Sequence, residues 1–134
     1  MSGEGETPVI TPESAAALSD AYLQGLVEGD LDAVVSLFSS DATVEDPVGS
    51  EIKQGEDELR AFYQIACDSV TAAERTGPPR IAGQDIAFAF TITVGVAPDA
   101  MCIDIIDVFT CDGAGKVCGM RAYWGPDNMR PADG

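Results

Sequence analysis

No histidine occurs in the 134 residues of this chain. That excludes every His-dependent triad and most zinc patterns, and it leaves proton chemistry to Asp, Glu, Tyr, Cys or Lys. Cysteine is sparse and unpatterned. Cys67, Cys102, Cys111 and Cys118 form no CxxC pair and read as buried free thiols of a reducing compartment. Bases are also few, 7 against 23 acids, for a formal net charge of −16. Such a surface repels phosphate backbones and anionic lipid, which argues against nucleic-acid and membrane partners. No cluster of Arg or Lys gathers to hold an anion, so a neutral or apolar substrate is expected. No apolar run approaches the ~20 residues of a membrane span. The acidic, Gly-rich start MSGEGETPVI lacks the basic and apolar regions of a signal peptide, and a cytoplasmic address is expected.

What is present suits one domain. Hydrophobic residues make up 46% of the chain, and at this length about two-thirds of the unfolded surface can be buried. Residues 1–10 read as a loose tail, 11–128 as the domain and 129–134 as a second tail. TPESAAALSDAYLQGLVEGD reads as a helix with Thr11 as cap, Pro12 in its first turn and Gly29 at its end. Leu18, Tyr22 and Leu26 recur every four residues and form one buried stripe. Asp30 can cap a second, shorter helix that turns Leu31, Val34, Val35 and Phe38 inward. A short strand follows and stops at Pro47. A third helix is expected from about Glu56 to Cys67, with Leu59, Phe62, Tyr63 and Ala66 on one face. Residues 68–80 are ambiguous, with a strand ending at GPPR as one reading. From there the period changes to two: Ile86, Phe88, Phe90, Ile92 and Val94 share one side of a strand. MCIDIIDVFTC, the turn DGAGK and VCGMRAYWG complete a meander. Helices first and strands after indicate an α+β fold, a curved sheet with helices packed on one face.

Two carboxylates fall on faces meant for apolar groups. In DATVEDPVGS (residues 41–50), strand alternation puts Asp46 on the face of Val44 and Glu45 on the opposite face. Either Asp46 faces inward with Val44, or the strand ends at Glu45 and Asp46 caps a turn with Pro47. In the strand 101–111, Asp107 lies between Ile105 and Phe109 on one face. A buried carboxylate there needs a base such as Arg121, or it holds a proton instead. Tyr22 and Tyr63 sit on the inward stripes of their helices, either as core tyrosines bonded to backbone carbonyls or as part of a site. Taken together, one ionised acid, one neutral acid and two phenols in an apolar hollow suit proton transfer beside a carbonyl.

The segments AYLQGLVEGDLDAVVSLFSSDATVEDPVGSEIKQG, RAFY, AFAFTITV, IIDVF and GAGKVCGMRAYWG resemble the bacterial 3-oxo-Δ5-steroid isomerases, the ketosteroid isomerase family, from about residue 12 to residue 128. The resemblance implies a six-stranded curved, mixed or antiparallel sheet with three helices, a cone of the nuclear-transport-factor type with an apolar pocket. It implies a homodimer paired through the outer face of the sheet, and no cofactor or metal. Carried over position by position, Asp46 is the expected general base, Tyr22 the main oxyanion-hole phenol and Asp107 the neutral acid beside it, the raised-pKa arrangement for which this family is the standard example. Tyr63 is expected to support Tyr22 through a hydroxyl contact. Phe90, Met120 and Trp124 fall where apolar residues line the pocket. Phe38 stands where some members carry a third tyrosine, which shortens the network. Three functions follow: a steroid isomerase acting on a 3-oxo-Δ5-steroid or related apolar ketone, another enolisable-carbonyl enzyme of the same fold such as a polyketide cyclase or dehydratase, and a non-catalytic steroid binder.

Overall fold

A computed structural model of the chain describes residues 9–132. The expected N-terminal tail falls outside the described residues except for Val9 and Ile10, as do residues 133–134 of the expected C-terminal tail.

Helix α1 (Pro12–Glu28) starts on a reciprocal cap, with Thr11 Oγ1 accepting from the Ser14 amide and Ser14 Oγ accepting from the Thr11 amide, each at 3.0 Å. Such a box satisfies two of the amides that a helix start leaves unpaired. It stops at Gly29, whose φ of 69° is the left-handed conformation that glycine adopts without strain. Asp30 accepts from the Ala33 amide and opens α2 (Leu31–Val35). Helix α3 (Glu56–Ser69) buries Leu59, Tyr63 and Cys67.

The strands are β1 (Phe38–Glu45), β2 (Lys53–Gln54), β3 (Val70–Arg75), β4 (Arg80–Ala82), β5 (Asp85–Val94), β6 (Met101–Cys111), β7 (Val117–Tyr123) and β8 (Met129–Pro131). Six of them run in the order β2-β1-β7-β6-β5-β3, with β4 paired to β5 and β8 to β6. The sheet is mixed because β1 lies parallel to β7. The ambiguous stretch 68–80 supplies β3 and the start of β4. Residues 129–131, expected within a tail, are instead stitched to β6 through Met101↔Pro131, Cys102↔Arg130 and Ile103↔Met129.

The inner face of the sheet carries Ile86, Phe88 and Phe90 from β5, Ile103, Ile105 and Phe109 from β6, and Met120 and Ala122 from β7, all buried. The three helices contribute Tyr22, Leu23 and Leu26, then Val34, then Leu59 and Tyr63. The strict alternation of β5 and β6 fixes the register, since a slip of one residue would turn every one of these side chains outward. The result is an α+β cone with its apolar lining turned toward the helices. No described helix is long and apolar enough to cross a membrane.

Candidate active site

Asp107 occupies an inward position of β6, directly between Phe88 of β5 and Ala122 of β7. It is 1% exposed, and neither carboxyl oxygen has a hydrogen-bond partner among the described residues. The base that could have neutralised it is elsewhere: Arg121 is half exposed and pairs with Glu45 at 3.3 Å. An ionised carboxylate with no partner in such surroundings costs far more than a retained proton. Burial, and then the negative charge of Asp46, therefore push the Asp107 pKa well above the usual carboxylate range. Burial without a partner thus favours the protonated form of Asp107.

Tyr22 and Tyr63 enter from α1 and α3. Their hydroxyls lie 3.0 Å apart and either can donate. Their rings meet edge to face at 5.8 Å, and Phe109 and Phe88 pack edge-on against Tyr22. Burial raises both phenols well above their ordinary pKa, and the Asp46 charge opposes ionisation as well. Both therefore remain hydrogen-bond donors throughout the physiological range.

Strand β1 ends at Glu45, yet Asp46 is still turned in. Both sequence alternatives are partly right: the strand stops, and the side chain faces the interior. Trp124 Nε1 donates to Asp46 Oδ1 at 2.7 Å. Burial raises the Asp46 pKa and the indole hydrogen bond partly opposes that rise. This acid is only partly buried and has a donor aimed at its charged form, so it is the more readily ionised of the two.

Asp46, Tyr22, Tyr63 and Asp107 line one small cavity of about 50 Å³, together with Phe90, Ile105 and, on the helix side, the half-buried Phe62 and Ala66. The seven Lys and Arg residues all lie among the described residues and none lines it. Two larger surface clefts, of about 350 and 420 Å³, lie elsewhere, one beside Arg80 and Ile106 and the other beside Arg60 and Lys116. Neither brings an acid and a phenol together, and a third cleft, of about 320 Å³, does so only with the half-exposed Asp104 and Tyr123 on the outer face of the sheet. Among the described residues no three acidic or thiol groups stand close enough to hold a metal ion.

The sequence-derived set thus converges for Asp46, Tyr22, Asp107, Tyr63 and Phe90. Phe38 and Met120 do not line the cavity. Phe38 packs behind it, its ring 5.4 Å from Tyr63 and 6.4 Å from Tyr22, and Met120 is a core residue opposite Phe109 and Val44. Trp124, expected as lining, contacts the acid itself. Leu26, Phe62, Ala66, Val70, Ile92 and Ile105 are wall residues not singled out from the sequence, although Leu26, Phe62, Ala66, Ile92 and Ile105 lay on stripes or strand faces already read as inward.

Fold and cavity define the class, an α+β cone of the nuclear-transport-factor type with two acids and two phenols enclosed at its centre. The SnoaL-like domain profile matches residues 20–120, and the chain belongs to that family. The steroid Delta-isomerase of Nocardioides simplex is 32% identical over 108 residues, covering 81% of this chain and 87% of that protein. The epoxide hydrolase LasB of Streptomyces lasalocidi is 26% identical, with 94% of this chain matching about half (52%) of that longer relative. Among solved structures, the epoxide hydrolase/cyclase-like enzyme SalBIII, described for pyran ring formation in the polyether salinomycin, superposes with a TM-score of 0.80. It is 28% identical, and the match covers 89% of this chain and 96% of that one. The relatives are enzymes of this fold.

Proposed function

We propose that the protein is a steroid Δ-isomerase that moves a C=C bond of a 3-oxo-steroid from Δ5 to Δ4. The reading rests chiefly on Asp107, a fully buried acid without a partner, sharing one cavity with the Tyr22 hydroxyl and the more readily ionised Asp46. Asp46 takes a proton from C4, and the electron pair moves toward the 3-oxo oxygen to form a dienolate. Tyr22 and protonated Asp107 donate hydrogen bonds to that oxygen as its charge develops, where such bonds contribute most. Tyr63 donates to Tyr22, which leaves the Tyr22 proton free for the ligand. Asp46 then returns its proton at C6, so the enzyme ends in the state in which it began. The absence of any cation from the wall favours a neutral substrate.

The enclosed space of about 50 Å³ takes only the carbonyl end of a ligand, since pockets for drug-sized molecules run to roughly 300–1,000 Å³. The rest of the steroid parts the wall at Phe62 and Ala66. The outer sheet face, where Ile106 and Tyr123 are 48% and 42% exposed, is the proposed homodimer surface, tested by sedimentation at micromolar concentration.

The test is direct. Purified protein should convert a 5-ene-3-one to the conjugated 4-ene-3-one, read as new ultraviolet absorbance. Asp46→Asn should lower turnover by several powers of ten, each worth about 1.4 kcal/mol of barrier. An Asp46→Asn variant as fast as the parent removes Asp46 from the mechanism.

A second reading is favoured by the likeness to SalBIII and LasB. The same acids could open an epoxide, with Asp107 giving its proton to the epoxide oxygen and Asp46 taking one from the attacking hydroxyl or water. A parallel assay with an epoxy alcohol discriminates the two. Tyr22→Phe, which removes an oxyanion donor worth roughly 3–4 kcal/mol, should cripple isomerisation far more than epoxide opening.

A further inference from the structure

Glu45 has no part in the chemistry just described, yet it is fastened more firmly than an exposed acid on an acidic protein needs to be. Its side chain is 18% exposed. Oε2 accepts from the Gly49 amide at 2.9 Å, and Oε1 accepts from Arg121 Nε at 3.3 Å. The first bond spans the turn 46–49 that carries Asp46. It forms because Gly49 has a φ of 101°, a conformation that glycine adopts without strain. The hydrogen bond to Gly49, and then Arg121, hold the Glu45 carboxyl below its usual range, so it is ionised.

Ser50 closes the turn locally, its amide and hydroxyl donating to the Pro47 carbonyl at 3.0 and 2.6 Å, and the longer-range fastenings come from β7 and the residues just after it. Glu45 and Arg121 are register partners in the parallel β1–β7 pair. The Val48 amide donates to the Ala122 carbonyl at 2.8 Å, and Trp124 donates to Asp46 at 2.7 Å. Arg121 is steadied in turn by the Tyr123 ring, 5.5 Å below its guanidinium. Residues 121, 122 and 124 thus hold residues 45, 48 and 46.

From this geometry we infer that Glu45 is a positioning residue for Asp46. It locks the turn from the outer side of the strand so that the Asp46 carboxylate stays under the Trp124 donor and aimed into the cavity. The inference rests on the reading of Asp46 as the base. A base that must serve two carbons of one substrate tolerates little displacement, because a misplacement of about 1 Å can cost on the order of 100-fold in rate.

The experiment compares Glu45→Ala with Glu45→Gln. The amide oxygen of glutamine can still accept from Gly49, whereas alanine cannot. Expected for Glu45→Ala is a kcat lower by roughly 10- to 100-fold, with KM and the affinity for the phenolic steroid equilenin within about twofold of the parent. Glu45→Gln should recover most of that loss. A general loosening of the domain would instead move KM, equilenin affinity and kcat together, and that outcome overturns the inference, as does a Glu45→Ala enzyme with unchanged kcat. Trp124 is the only tryptophan, so one indole N–H resonance reports its bond to Asp46 whether or not the protein isomerises steroids. In Glu45→Ala that resonance should move toward its position in Asp46→Asn, and in Glu45→Gln it should stay near the parent's. If Glu45→Ala leaves it in place, Glu45 does not position Asp46, whatever the reaction proves to be.

Discussion

Two aspartates in one cavity behave differently because only one of them has a donor. Among the described residues Asp107 has no hydrogen-bond partner, which favours its protonated form, whereas Asp46 has the Trp124 indole. In the unfolded chain Asp107 titrates in the ordinary carboxylate range, and in the fold it holds its proton to higher pH. The folded state binds the extra proton between those two values, so stability falls as pH rises across that window. Each pH unit the window spans costs about 1.4 kcal/mol. Urea unfolding from pH 5 upward should therefore show declining stability in the parent and a flatter profile in Asp107→Asn. An equally steep decline in the variant would mean that Asp107 is not the proton carrier. Trp124→Phe makes a separate prediction. Loss of the indole donor removes the one interaction that lowers the Asp46 pKa, so the acid limb of the kcat/KM profile should move to higher pH. A limb that stays in place would show that the indole bond does not tune the base. Tyr22 and Asp107 were legible as inward polar residues because strand alternation and helix stripes depend only on local geometry, whereas Asp46, just past the strand's end, was left open between an inward position and a turn. The indole contact was not legible. It depends on the path the chain takes beyond the end of β7, which no local period encodes.

Elements came through the sequence in proportion to their burial. α1, α3, β5 and β6 each bury a periodic face and were legible. β3 was legible only as one reading of an ambiguous stretch, because Thr71, Ala72 and Glu74 are exposed and leave no periodic buried face. Its pairing with β5 decides the matter. β8 is exposed along its whole length and has no pattern to read. The contact between α1 and α2 shows how tightly the helical layer is drawn together. A Cβ on Gly25 would stand 2.7 Å from Val34 Cγ2, and Val34 is fully buried. Gly25→Ala gains about 1 kcal/mol of helix propensity but overpacks a stiff neighbour at a cost of roughly 1–3 kcal/mol. Thermal denaturation should show a lower Tm for Gly25→Ala, partly restored by adding Val34→Ala. A raised Tm for the single variant would mean that α2 yields at little cost.

For the molecule as a whole, the net charge of −16 outweighs the exposed ion pairs. Pairs such as Arg60–Asp32 and Arg75–Asp20 contribute at most about 1 kcal/mol each at the surface, while every surplus acid repels the others until salt screens them. The Debye length falls to about 10 Å at 0.1 M. Tm should therefore rise as sodium chloride goes from 10 to 500 mM, and a fall would mean that the ion pairs dominate. The order of elements made an α+β sheet with helices on one face legible and the cone came with the family resemblance, but the parallel joint between β1 and β7 was not legible, because the two strands lie far apart in the chain and no local period pairs them. That joint constrains when the protein can mature. Among the described residues β1 and β2 attach to the rest of the sheet only through β7, because none of β3 to β6, which come between β2 and β7 in the chain, pairs with either. A ribosome that has released everything up to residue 116 has thus produced a half-sheet with an unpaired border, and an arm bearing Asp46 that is held by α3 but joined to no other strand of that half-sheet. Seams closed this late are where an emerging chain meets its neighbours before it meets itself.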